Sequence, residues 1–250
     1  MTSVRARTER GARSVRSTIG SMPTRLVLIR HGESNVTVRR VIGGHRTCDG
    51  LSPLGTLQTE RLAARWAESG EIDADVLISS HYARAAQTAE ILRPALGLGA
   101  VEVDPDFGEH DPGPDIDGLS FDAYIERYGT PDWNGDPHTE IFPGGETTAE
   151  FHLRVGAAVS RLVRERAGSS IVVVCHGGVI DAVFRQLTRN TPTGGFDLLT
   201  LNTSITEFEG PSAESTSGFW KLLRYNDAAH LAGLPDSTPR HGDDVVAGPG

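Results

Sequence analysis

The chain has 250 residues, 38% of them hydrophobic, and a formal net charge of −9 at pH 7. That length suffices for one substantial core, and the acidic balance argues against a nucleic-acid surface, which needs a basic stripe. The longest aliphatic runs span four or five residues, against the roughly 20 needed to cross a bilayer, so no membrane association is expected. With Cys48 and Cys175 alone there is no disulfide framework, and reduced thiols in a cytoplasmic setting are the expectation.

Residues 1–22 hold five arginines against one acid and no apolar stretch, a composition that reads as a disordered tail. The first strand, Leu26-Val27-Leu28-Ile29, runs into Arg30-His31-Gly32. Ser52-Pro53 supplies an N-cap and a first-turn proline, Leu62 and Trp66 lie one helical turn apart, and Gly70 closes that helix. A strand over Asp75–Ser79 and an alanine-rich helix from Tyr82 to Leu92 follow. Asp104–Pro143 breaks the alternation and is expected to cover a site. Thr147 and Glu150 form a capping-box pattern ahead of the apolar stripe Phe151, Val155, Val159, Leu162.

A second strand of the first kind, Ile171-Val172-Val173-Val174, then ends in Cys175-His176-Gly177. A helix over Val179–Leu187, strands over Leu198–Asn202 and Ile205–Glu209, and a Pro/Gly/Asp-rich tail complete the chain. The alternation predicts an α/β three-layer sandwich, a mostly parallel central sheet with helices on both faces. One domain is expected over residues 23–234, between disordered tails at 1–22 and 235–250.

The chemistry concentrates at strand ends, where open α/β sheets bind ligands. In Arg30-His31-Gly32-Glu33-Ser34-Asn35, Gly32 lets the backbone approach a ligand, and Arg30, Ser34 and Asn35 bring donors suited to phosphate oxygens. A neutral His31 offers a nucleophilic nitrogen. A lone histidine at a strand end is more often structural, but here a second His-Gly recurs at His176, and Arg84 follows a third strand. Three strands thus deliver imidazole or guanidinium groups to one sheet edge. Cys175, one residue before His176, points to the opposite face and is expected in the core rather than in a Cys-His pair.

These motifs, together with Leu51-Ser52-Pro53-Leu54-Gly55, Gly144-Gly145-Glu146 and Leu201-Asn202-Thr203-Ser204-Ile205-Thr206, resemble those of the histidine phosphatase superfamily, the phosphoglycerate-mutase-like group. The resemblance spans Arg25 to Glu209. It implies in-line attack of His31 on phosphorus to give a phosphohistidine, with Arg30, Arg84 and His176 holding the equatorial oxygens. Ser34, Asn35 and Gly177 are the further substrate-binding positions.

The resemblance also implies no metal or other cofactor, and a small phosphorylated substrate for a monomer or homodimer. It places the proton-transferring carboxyl at Glu109, in Asp106-Phe107-Gly108-Glu109-His110, although the loop from Asp111 to Gly118 departs from the common family pattern. Val101–Gly118 contains seven acids and no Lys or Arg; like charges there, Asp115 and Asp117 included, are expected to favour a protonated Glu109. His81 and His110 are expected to line the pocket, whereas Tyr124, Tyr128 and Trp133 suit either a ligand's organic group or local packing.

Ile42-Gly43-Gly44-His45-Arg46 stands where mutases carry a Thr-Gly-Trp segment, and acids follow Glu109 where a mutase needs basic residues for a second acidic group. Hydrolysis is therefore preferred. Phosphotransfer of the phosphoglycerate mutase type, or a catalytically idle phosphate-binding regulator, stands as the alternative.

Overall fold

The computed structural model describes residues 22–194, 196–211 and 218–237. The expected tails at 1–22 and 235–250 therefore lie outside the described residues, except at Met22 and at Pro235 to Ser237. Among the described residues six strands form one sheet: β1 (Arg25–Arg30), β2 (Val76–Ser79), β3 (Glu102–Val103), β4 (Ser170–Cys175), β5 (Ile205–Glu209) and β6 (Lys221–Asp227). Their spatial order is β3-β2-β4-β1-β5-β6. The first four are mutually parallel, and β5 and β6 add on antiparallel at one edge.

The β1–β4 register matters most. Arg30 pairs with Cys175, and the amide of His31 donates to the Cys175 carbonyl at 3.0 Å. Both His-Gly junctions thus emerge from neighbouring strands at one level. Leu26 to Ile29 and Ile171 to Val174 are all wholly buried, because helices cover both faces of these continuous apolar runs.

The helices are α1 (Asn35–Val38), α2 (Pro53–Ser69), α3 (Ala83–Leu92), α4 (Phe121–Tyr128), α5 (Thr148–Glu165) and α6 (Gly177–Thr188). On one face Leu26, Leu28 and Val173 pack against Phe151 and Val155 of α5 and Val179 and Val183 of α6. On the other, Val27, Ile29 and Val172 meet Leu62 and Trp66 of α2 and Ala85 and Ala89 of α3. Burying such a side chain is worth about 1.5–3 kcal/mol, so truncating Leu62 to alanine costs about 2–5 kcal/mol with its cavity term.

The helix termini follow the sequence signals. The Ser52 hydroxyl accepts from the Gly55 amide at 2.9 Å, Pro53 opens α2, and Gly70 closes it at φ 62°. At α5 the Thr147–Glu150 capping box is complete in both directions. Ser52 also donates to Glu33 at 2.7 Å, which ties α2 to the loop after β1. That junction is tight: a Cβ on Gly32 would lie 2.4 Å from the Gly55 carbonyl oxygen, and one on Gly55 would lie 1.9 Å from that of Glu33.

Two expectations require correction. Leu198–Asn202 is not a strand. Its backbone groups are taken by side chains: Arg30 donates to the Thr200 carbonyl, Tyr225 to that of Leu199, and the Leu201 amide to Asn226 Oδ1. The expected helix at Val179 starts earlier, at Gly177, so His176 is its N-cap. The Asp104–Pro143 segment carries α4 and builds a small separate core, in which its Ile116, Phe121, Tyr124 and Phe142 pack with Ile42.

Candidate active site

The His31 and His176 rings meet edge to face, with centroids 5.0 Å apart. Valence settles the state of His31. Its Nδ1 lies 2.6 Å from the Gly32 carbonyl oxygen, which can only accept. Its Nε2 lies 3.0 Å from Arg84 Nε, which can only donate. The ring is therefore the Nδ1–H tautomer, and Nε2 presents a lone pair. Arg84 comes from the first turn of α3, is 5% exposed, donates also to the Gly43 carbonyl at 3.0 Å, and lies 4.6 Å over the Tyr82 ring.

His176 is wholly buried, with Nε2 2.8 Å from the hydroxyl of Ser80 just past β2. Its Nδ1 has no hydrogen-bond partner among the described residues. Burial first, then the nearby Arg84 and His31, hold its pKa well below the ordinary value. Cys175 sits in the core as expected, its thiol pushed up by burial.

The other predicted positions are brought to the same strand ends with different contacts. The Arg30 Nη1 donates to the Thr200 carbonyl at 2.5 Å. Ser34 is fully buried, its hydroxyl 2.9 Å from that of Thr37. Asn35 opens α1, and its amide donates to the Gly50 carbonyl. Gly177 is the first residue of α6, a helix end whose amides face outward from the ladder.

Glu109 is brought alongside by tertiary packing. The 3-10 turn Pro105–Phe107 anchors its wholly buried Phe107 beneath α5, and Gly108 leads out of it. Glu109 Oε2 accepts from the Gly178 amide of α6 at 3.1 Å, and Oε1 from the His110 amide at 3.1 Å. Arg154 of α5 holds the segment from behind, donating to the carbonyls of Asp106 at 2.8 Å and Gly108 at 3.1 Å while gripping Glu146 bidentately. Burial opposes the Arg154 charge, but Glu146 more than offsets this and raises its pKa.

A cleft of about 580 Å³ adjoins Glu109, with His45, His81, Tyr82, Asp111, Glu150 and Arg154 on its walls. The His45 and His81 rings are 5.2 Å apart, and burial, then His45, lowers the His81 pKa. Of the two expected pocket histidines, His81 lines this cleft. His110 instead packs among Trp133, Phe142 and Phe151, both its ring nitrogens buried without a partner among the described residues. Tyr124 is also a packing residue, 3% exposed with its hydroxyl on the Ile141 carbonyl.

The acidic stretch is not a free field around Glu109. Glu102 pairs with Arg166, and Asp104 and Asp106 with Arg161. Asp117 accepts from the amides of Gly44 and Arg46 and from the Thr47 hydroxyl, and faces Arg46 at 3.4 Å. Asp115 is exposed. Arginines from elsewhere in the chain thus answer Glu102, Asp104, Asp106 and Asp117, and Asp117 clamps the loop that bears Gly43 and His45.

Sequence reasoning did not single out Arg154 or Ser80. Arg154 had a legible signal, a cation set between Phe151 and Val155 on the apolar side of α5. Ser80, just beyond Ser79 of β2, had only its place at a strand end.

A sheet of this order, helix-covered on both faces, is the phosphoglycerate-mutase-like α/β fold. The chain belongs to the histidine phosphatase superfamily (branch 1), whose sequence profile matches residues 26–228. It is 28% identical over 215 residues, 84% of this chain and 98% of the relative, to the uncharacterized phosphatase PhoE of Bacillus subtilis (strain 168). It is 29% identical over 212 residues to a 2,3-bisphosphoglycerate-dependent phosphoglycerate mutase of Sinorhizobium fredii, covering 82% of this chain and 98% of that one. Among solved structures, a mycobacterial glucosyl-3-phosphoglycerate phosphatase complexed with VO3 superimposes with a TM-score of 0.65 at 28% identity, over 81% of this chain and 98% of that chain. Family and neighbours together indicate phosphatase or mutase chemistry.

Proposed function

We propose that the protein is a phosphomonoester hydrolase that works through a phosphohistidine on His31 and takes a small phosphorylated metabolite. The observation that carries this reading is the lone pair of His31 Nε2 held against Arg84 Nε at 3.0 Å. A nucleophilic nitrogen beside a buried guanidinium is what an incoming phosphoryl group requires.

In the first step Nε2 bonds to phosphorus as the ester P–O bond breaks, and the departing alkoxide takes a proton from Glu109. Arg30, Arg84 and His176 offset charge on the equatorial oxygens, with Ser34, Asn35 and Gly177 as further contacts. In the second step water gives a proton to Glu109 and its oxygen bonds to phosphorus as the P–N bond breaks. Inorganic phosphate leaves and neutral His31 returns.

Hydrolysis is favoured over transfer by the walls beside Glu109, where Asp111 and Glu150 line the cleft and Arg154 is already gripped by Glu146. A second acidic group on a substrate would find no uncommitted guanidinium among these residues. The similarity to a phosphoglycerate mutase supports phosphotransfer as the second reading.

The test is trapping of labelled phosphate from a phosphomonoester by an alkaline denaturing quench, which preserves the P–N bond, with phosphate release followed with and without a phosphoglycerate acceptor. Wild type is expected to take label and release phosphate whether or not the acceptor is present. His31→Ala takes none, and Glu109→Gln slows turnover of alkyl phosphates by about 10²–10⁴-fold while sparing the labelling step with p-nitrophenyl phosphate, whose leaving group needs no proton. Label retained by His31→Ala would overturn the reading, and phosphate passing to the acceptor instead of water would replace hydrolysis by transfer.

A further inference from the structure

The segment Asn202-Thr203-Ser204 lies directly beneath the end of β1. Asn202 Nδ2 donates to the His31 carbonyl at 2.9 Å, and the Thr203 amide donates to the Arg30 carbonyl at 2.8 Å and to that of His31 at 3.4 Å. From the other side, the Gly32 amide donates to Thr88 Oγ1 at 3.1 Å. The peptide plane joining His31 to Gly32 is therefore held at both its oxygen and its nitrogen. The next carbonyl, that of Gly32, sets the His31 tautomer.

Thr203 makes these bonds from φ 56° while wholly buried. A β-branched residue in the left-handed region is strained, by about 1–3 kcal/mol, and holds there only where its surroundings require it. What holds it is visible. The single Thr203 hydroxyl proton goes to the Asn202 carbonyl at 2.7 Å, so the hydroxyl oxygen accepts from His230 Nε2 at 2.8 Å. This makes His230 the Nε2–H tautomer, its Nδ1 buried without a partner among the described residues.

His230 rides on the short turn Ala229–Leu231 beyond β6. That turn is tied to α2 through Asp227, which accepts from the Ala229 amide at 3.2 Å and from Arg65 at 2.7 and 2.9 Å. A run of bonds thus passes from α2 through the turn and Thr203 to the His31 peptide.

We propose that His230, acting through Thr203, is a positioning residue that locks the Arg30–His31 carbonyls and so aims His31 Nε2 at phosphorus. The proposal rests on the phosphohistidine reading above. It assigns work to a residue 199 positions from His31 that touches neither the phosphate nor the leaving group, and it predicts an effect on the chemical step rather than on binding.

The test measures burst and steady-state kinetics with p-nitrophenyl phosphate, together with thermal midpoints, for wild type, His230→Ala, His230→Gln and Thr203→Val. A glutamine amide can still donate to Thr203, whereas alanine cannot. His230→Ala and Thr203→Val are expected to lower kcat and the burst rate by about tenfold or more, with KM within about twofold. His230→Gln is expected to recover most of the loss at a thermal midpoint no higher than that of His230→Ala.

A wild-type rate in His230→Ala, a glutamine variant as slow as the alanine one, or a loss confined to KM would each overturn the positioning role. If wild type itself showed no burst and took no label on His31, the phosphohistidine reading would fail first and the positioning role with it. That outcome is distinct from a labelled wild type matched by His230→Ala.

Discussion

Glu109 and Gly178, 69 residues apart, meet in a single hydrogen bond of 3.1 Å, and a Cβ on Gly178 would stand 2.3 Å from Glu109 Oε1. The carboxyl group is thus seated on the first turn of the helix that His176 caps. The absence of a side chain at residue 178 is what leaves room for it.

Gly178→Ala separates seat from scaffold. Alanine favours a helix over glycine by about 1 kcal/mol, and the atom it meets is the mobile end of a side chain, so the fold is expected to hold or gain stability. Glu109 must swing aside, and a misplacement of about 1 Å costs on the order of 10²-fold in rate. Phosphate release from an alkyl phosphate is expected to fall by about that factor while the thermal midpoint stays level or rises. An active Gly178→Ala enzyme would refute the seating of Glu109.

Asp117 is expected to matter through geometry rather than through the protonation of Glu109. Its side chain is 1% exposed and accepts from Gly44, Arg46 and Thr47. Asn at this position turns an NH2 group toward donors, leaving a buried group unsatisfied at a cost of about 1–3 kcal/mol. Urea unfolding of Asp117→Asn is expected to show that loss. Its pH–rate profile is expected to keep the wild-type shape, and a displaced acid limb would restore the electrostatic role.

Two histidines contribute to the acid sensitivity of the fold. Burial, then Arg185, lowers His152 to about 4, and His176 is held well below its ordinary value. Each binds a proton more readily unfolded, near pH 6.5, than folded. Their stabilising contribution is therefore complete above about pH 6.5 and declines as pH falls below it, that of His152 being lost as pH approaches about 4. Urea midpoints are expected to decline over that interval, and less steeply in His152→Gln; parallel declines would show that His152 takes no part.

How much of this was legible depended on the range of the interaction. The caps at Ser52 and Thr147, the stop at Gly70 and the buried runs of β1 and β4 follow from neighbours within a few positions, and they emerge as read. Leu198–Asn202 has the composition of a strand, yet its backbone groups go to Arg30, Tyr225 and Asn226 side chains far along the chain. The acids of residues 101–118 look uncompensated in a window without Lys or Arg, because Arg46, Arg161 and Arg166 come from elsewhere.

The sequence by itself determined the fold class, the family and the residues gathered at the strand ends, because short-range periodicity and ordered motifs carry those. Tertiary structure alone decided which nitrogen of His31 carries the proton, where Glu109 sits and which groups each of them bonds to. Those depend on hydrogen bonds between segments that meet only after the β1–β4 register brings the two His-Gly ends level, and no local pattern along the chain encodes that distance.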